Sequence, residues 1–82
     1  MKTKNKYNSL MNIPEDFTKE EWGLAVSVID FLPHNILVEL CDKYEIRFEG
    51  GNKDTDDETL ILGLFNHLSK EEILNIANKY NN

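Results

Sequence analysis

Apolar residues recur at helical spacing in four places along this 82-residue chain and alternate in only one. The first helical set is Trp22, Ala25, Val26 and Ile29, with Leu24, Val28, Phe31 and Leu32 forming a second face. A short helix that is apolar on most sides is central in its domain, and Ser27 and Asp30 leave only a narrow polar edge. Its start is marked twice. Thr18-Lys19-Glu20-Glu21 is a capping box, and Phe17 and Trp22 occupy the two positions of a hydrophobic staple. The spacing predicts a helix over 18–32. Pro33 then opens a second helix, in a first turn where its missing N–H is harmless. Over 33–44, Ile36, Leu37, Leu40, Cys41 and Tyr44 share a face, while Glu39, Asp42 and Lys43 face water.

A third helix is predicted over 56–68, with Leu60, Ile61, Leu64, Phe65 and Leu68 on its core face. Thr55-Asp56-Asp57-Glu58 reads as its capping box. Asp56, Asp57 and Glu58 fill its first turn, where the helix dipole favours negative charge. Gly63 interrupts this helix at a cost of about 1 kcal/mol relative to alanine, which points to close contact with another helix. Ser69-Lys70-Glu71-Glu72 is a third capping box, stapled by Leu68 and Ile73. It starts a fourth helix over 70–80 with Ile73, Leu74, Ile76, Ala77 and Tyr80 apolar. Helices three and four are joined almost without a loop and must turn a tight corner.

The alternation Tyr44, Ile46, Phe48 is too short to stand as a strand and has no evident partner. Together with Gly50-Gly51 it predicts an extended connection over 45–54 that can turn sharply at the glycines. The expected architecture is therefore all-α: a compact four-helix domain over 14–82. Pro14 stops any helix entering from the N-terminal side. Residues 1–13, with Tyr7, Leu10, Met11 and Ile13 as the apolar members, read as a flexible tail.

Charge narrows the function. Nine basic and fifteen acidic residues give −6, and the first fourteen residues hold three lysines (Lys2, Lys4, Lys6) and no acid. The remainder is therefore more acidic than the whole. Such a body is repelled by nucleic-acid phosphates and by anionic membranes, and is drawn to a basic protein surface. An apolar fraction of 40% with eight aromatics argues against a disordered chain. One cysteine, Cys41, excludes an intramolecular disulfide, and no Cys/His spacing suggests zinc. No apolar run resembles a signal peptide or a membrane span, so a cytoplasmic location is expected.

Residues 33–68, PHNILVELCDKYEIRFEGGNKDTDDETLILGLFNHL, follow the order helix, apolar extension with glycine, capped helix. Leu37 and Leu40, then Ile46 and Phe48, Gly51 and Lys53, and finally Leu60-Ile61 fall in the order of a SAP-type helix–extension–helix motif, which the segment resembles. The resemblance implies DNA binding through basic residues near the second helix. Here Asp54, Asp56, Asp57 and Glu58 occupy that place, so the fold carries over more readily than the function. On that alternative, Lys43, Arg47 and Lys53 would contact phosphates. In size, acidity and richness in asparagine and lysine, the chain is also similar in type to small inhibitor proteins of phages and mobile elements.

Other chemistry finds little support. An EF-hand register starting at Asn52 would place Asp57 at the sixth position and Gly63 at the twelfth, where glycine and glutamate are needed. Cys41 lies in an apolar run that suits an inert thiol, and His34 is two turns away from it. No phosphate-binding glycine loop is present. The expectation is a non-enzymatic module with no catalytic, metal or cofactor site. It would dock onto a larger protein through Glu45, Glu49, Asp54, Asp56, Asp57 and Glu58.

Overall fold

The computed structural model describes residues 13–81. Its elements are α1 (Lys19–Ile29), α2 (His34–Lys43), a 3₁₀ turn (Asn52–Asp54), α3 (Asp57–His67) and α4 (Lys70–Tyr80). No strand occurs among the described residues. The all-α four-helix architecture read from the sequence is what the chain adopts. The expected tail, apart from half-buried Ile13, lies outside the described residues.

Both ends of the α1–α4 pair form as the capping signals dictate. Thr18 Oγ1 accepts from the Glu21 N–H at 3.0 Å, and Glu21 Oε1 accepts from the Thr18 N–H at 2.9 Å. Ser69 and Glu72 repeat the exchange at the start of α4, at 3.2 and 2.9 Å. Phe17 and Trp22 meet edge to face with centroids 4.9 Å apart, and Phe65 from α3 packs against Trp22 at 5.0 Å. Lys70 then ties the two capped ends together, with Nζ 3.1 Å from Glu21 Oε1 and the ammonium 5.8 Å above the Phe17 ring. The Thr18 N–H and then Lys70 hold the Glu21 carboxyl below its ordinary value.

α1 stops at Ile29, three residues short of the predicted end. Phe31 and Leu32 donate to the carbonyls of Val28 and Ile29 at 3.2 Å, three residues back, so the last turn is tighter than an α-turn. The cause is Pro33, which disfavours helical angles at the residue before it. Phe31, predicted on a core face, is consequently 73% exposed, because the helical phase no longer applies to it. Pro33 caps α2 rather than standing in its first turn, its carbonyl accepting from Ile36 and Leu37 at 3.0 Å. The chain bends by 115° between α1 and α2.

The core takes residues from all four helices: Ala25 and Ile29; Leu37, Leu40 and Cys41; Leu60, Ile61 and Leu64; Ile73, Ile76 and Ala77. α1 packs on α4 and α2 on α3. Each buried large aliphatic side chain is worth up to about 1.5–3 kcal/mol relative to exposure. Cys41 is fully buried with Sγ 3.8 Å from the Leu60 carbonyl, and burial pushes its thiol up to about 11.

The second predicted capping box does not form. Asp56, not Thr55, is the N-cap of α3, and its side chain makes no cap hydrogen bond. Thr55 instead closes the 3₁₀ turn. Its N–H donates to the Asn52 carbonyl at 3.1 Å and its hydroxyl to the Gly51 carbonyl at 2.8 Å. α3 starts one residue later than the Thr55 box requires, so Thr55 stands outside the cap position.

Candidate interaction surface

The residues singled out for recognition lie on the segment between α2 and α3 and on the adjoining ends of those helices. Ile46–Phe48 belongs to no helix, strand or turn; 44–45 and 49–50 are turns, and the 3₁₀ turn follows. The predicted extended connection over 45–54 is thus mostly folded. The reason is a set of left-handed residues: Glu45 at φ 60°, Gly50 at 87° and Gly51 at 96°. The glycines adopt such angles without penalty, whereas Glu45 carries a Cβ against them. Glu45 stands just past α2, where a Schellman motif ends the helix. The Ile46 N–H donates to the Cys41 carbonyl at 2.8 Å and the Glu45 N–H to the Asp42 carbonyl at 3.1 Å.

Asn52 holds the fold of this segment. It is the buried polar residue of the described chain, 8% exposed. Its Nδ2 donates to the Ile46 carbonyl at 2.7 Å and to Asp42 Oδ1 at 2.9 Å, and its Oδ1 accepts from the Phe48 N–H at 3.0 Å. Both amide protons are therefore used, as burial of an amide demands. Ile46 is buried in the core, and the Phe48 ring lies over Gly63 of α3. A Cβ at Gly63 would stand 2.5 Å from Phe48 Cζ and 3.3 Å from Ile46 Cγ2. Gly63 thus makes room for the connection, and not, as its mid-helix position suggested, for a neighbouring helix.

A second tie comes from His34 at the start of α2. Its Nδ1 lies 2.6 Å from Asp57 Oδ1 and its Nε2 lies 2.9 Å from the Lys53 carbonyl oxygen. His34 and Asp42 are two turns apart on one stripe of α2. Between them they fasten the 3₁₀ turn, Asp42 through Asn52 and His34 through Lys53. The Asp57 carboxylate first, then the Lys53 carbonyl, raise the His34 pKa above its ordinary value against a smaller effect of burial.

On this framework Glu45, Glu49, Asp54, Asp56, Asp57 and Glu58 are all exposed. Asp57 is shared with His34. Lys43, Arg47 and Lys53 are exposed on the same segment. Lys43 sits 5.5 Å from the centre of the Tyr44 ring. Arg47 borders a small cleft of about 120 Å³ with Asp42, Phe48, Gly51 and Asn52. Residues 42–58 carry seven acids against three bases, so the surface is mixed in charge but negative in sum. Among the described residues no three His, Cys, Asp or Glu side chains converge as a metal site.

Sequence reasoning missed the roles of Asn52, Asp42 and His34. Asn52 was legible only as an oxygen donor in a failed calcium pattern, Asp42 only as a solvated helix residue, and His34 only as a distant neighbour of Cys41. The bonds from His34 span 19 and 23 residues, so no local spacing announces them. No family model, curated protein or solved structure matches the chain.

Proposed function

We propose that this chain is a non-enzymatic binding module that docks its acidic 45–58 segment onto a basic surface of a larger protein. It acts there as an inhibitor or adaptor, of the kind that occupies a groove built for nucleic acid. One observation carries the reading. Six carboxylates stand exposed on a segment that a buried asparagine and a doubly bonded histidine hold in place. Charges on an ordered framework bind with less entropic loss than charges on a free loop. They also steer encounter with an oppositely charged surface. Asp54 lies in the 3₁₀ turn, ahead of the N-cap of α3, so capping of that helix does not account for its charge.

The test is charge reversal that spares the framework. Glu45→Lys, Glu49→Lys and Asp54→Lys together change the field by six units and leave Asn52, Asp42, His34 and Asp57 in place. The wild-type chain, immobilised, is expected to retain a protein from its native lysate that rising salt elutes. The triple variant, folded by circular dichroism, should not retain it. Equal retention by both would refute the acidic surface.

A second reading rests on the exposure of Lys43, Arg47 and Lys53 on this same segment. In that reading the α2–connection–α3 unit meets nucleic acid as SAP-type motifs do. A mobility shift of duplex DNA that disappears with salt, and that Arg47→Glu abolishes, would select it over the first.

A further inference from the structure

The bonding of His34 is incompatible with a neutral ring. Its two partners, the Asp57 carboxylate and the Lys53 carbonyl, have only acceptor atoms. A neutral imidazole carries one N–H and one bare nitrogen lone pair. Whichever tautomer it took, one lone pair would face an oxygen, at 2.6 Å on the Asp57 side or 2.9 Å on the Lys53 side. Two donors are required, and only the imidazolium has two. The ring and the carboxylate are both about half exposed, so the proton exchanges freely with solvent.

We infer that His34 is a protonation-dependent latch: charged, it binds the start of α2 to both the 3₁₀ turn and the first turn of α3, and on losing its proton it must release one of them. Two carboxylates and one carbonyl dipole favour the charged ring. Asp57 belongs to α3, and the 3₁₀ turn supplies Asp54 and the Lys53 carbonyl. The free N–H groups of the first turn of α2, on which His34 stands, oppose its charge. The tie fixed by Asn52 does not titrate with histidine, so the release is confined to the 53–58 end of the segment. The inference stands whether or not that surface meets a partner.

Nitrogen-15 NMR of the full chain between about pH 5 and 9 tests it, a range that brackets the ordinary histidine value of roughly 6.5. His34 should titrate at a higher pH in the folded chain than in the same chain unfolded in urea. The backbone amides of 53–58 should shift with the same midpoint. Asp57→Asn should lower that midpoint, and His34→Gln should flatten the amide response. An His34 midpoint at or below the unfolded value overturns the latch, as do 53–58 amides that stay still while His34 titrates. Should His34→Gln fail to fold, the wild-type and Asp57→Asn titrations decide the matter alone.

Discussion

Gly63→Ala separates a local from a tertiary account of α3 by the sign of its effect. Helix propensity alone makes alanine better than glycine in a helix interior by about 1 kcal/mol. The structure places the new methyl 2.5 Å from Phe48 Cζ and 3.2 Å from Cε2, with Ile46 Cγ2 at 3.3 Å. Carbon atoms in ordinary contact lie about 3.5–4.0 Å apart, so the ring must retreat by roughly 1 Å or more. Phe48 cannot retreat by its backbone, because its N–H is held by Asn52 Oδ1. The ring must swing outward and lose contact with the core. Overpacking of this kind costs about 1–3 kcal/mol. Set against the propensity gain, Gly63→Ala should destabilise the domain by roughly 1 kcal/mol. For a domain of this size that lowers the Tm by about 4–8 °C.

The decisive comparison is a double-mutant cycle with Phe48→Ala, followed by urea denaturation with Trp22 fluorescence. Once the ring is gone, Gly63→Ala should become stabilising by up to about 1 kcal/mol, which leaves a coupling of about 1–3 kcal/mol between the two sites. A stabilising Gly63→Ala of equal size in both backgrounds would refute the close approach of the connection to α3.

Three further substitutions probe the framework. Glu45→Gly relieves a left-handed L-residue, worth about 1–2 kcal/mol, and returns part of it as glycine's added unfolded freedom; a net gain of roughly 0.5–1 kcal/mol is expected in the urea midpoint. A loss instead would mean that the Glu45 side chain supports the fold. Asn52→Asp keeps the shape but turns the donors facing Asp42 and the Ile46 carbonyl into acceptors, and should cost about 2–3 kcal/mol at neutral pH. A loss below about 0.5 kcal/mol would show that the network contributes nothing beyond an ordinary surface site. Thr18→Ala and Ser69→Ala should each cost about 1 kcal/mol, whereas Thr55→Ala, which removes only an exposed bond to Gly51, should cost about half as much. Equal losses at all three positions would restore the capping box at Thr55. The pH profile has a fixed sign as well. The His34 pKa is raised on folding, so its contribution is full below the unfolded value near 6.5 and is lost as pH rises through the folded value. His34→Gln should remove that fall from thermal melts.

The sequence by itself determined the helices and which sides of them are buried. Capping at Thr18 and Ser69, the break at Pro33 and the apolar stripes are local properties, set within one or two turns and expressed wherever tertiary packing agrees with them. Ala25, Leu37, Leu40, Leu60, Leu64 and Ile76 are buried where their spacing put them. The exposure of the six acids was also legible, since isolated carboxylates do not pay for burial. The connection was decided by the tertiary structure. Thr55 is as good a cap as Thr18 by composition, but the 3₁₀ turn takes up Thr55 and α3 starts from Asp56 instead. Gly63 has its explanation in Phe48, fifteen residues earlier, and His34 in Lys53 and Asp57, which are 19 and 23 residues later. Polar groups choose their partners from what packing sets beside them, and hydrogen bonds across such distances leave no periodic trace in the chain.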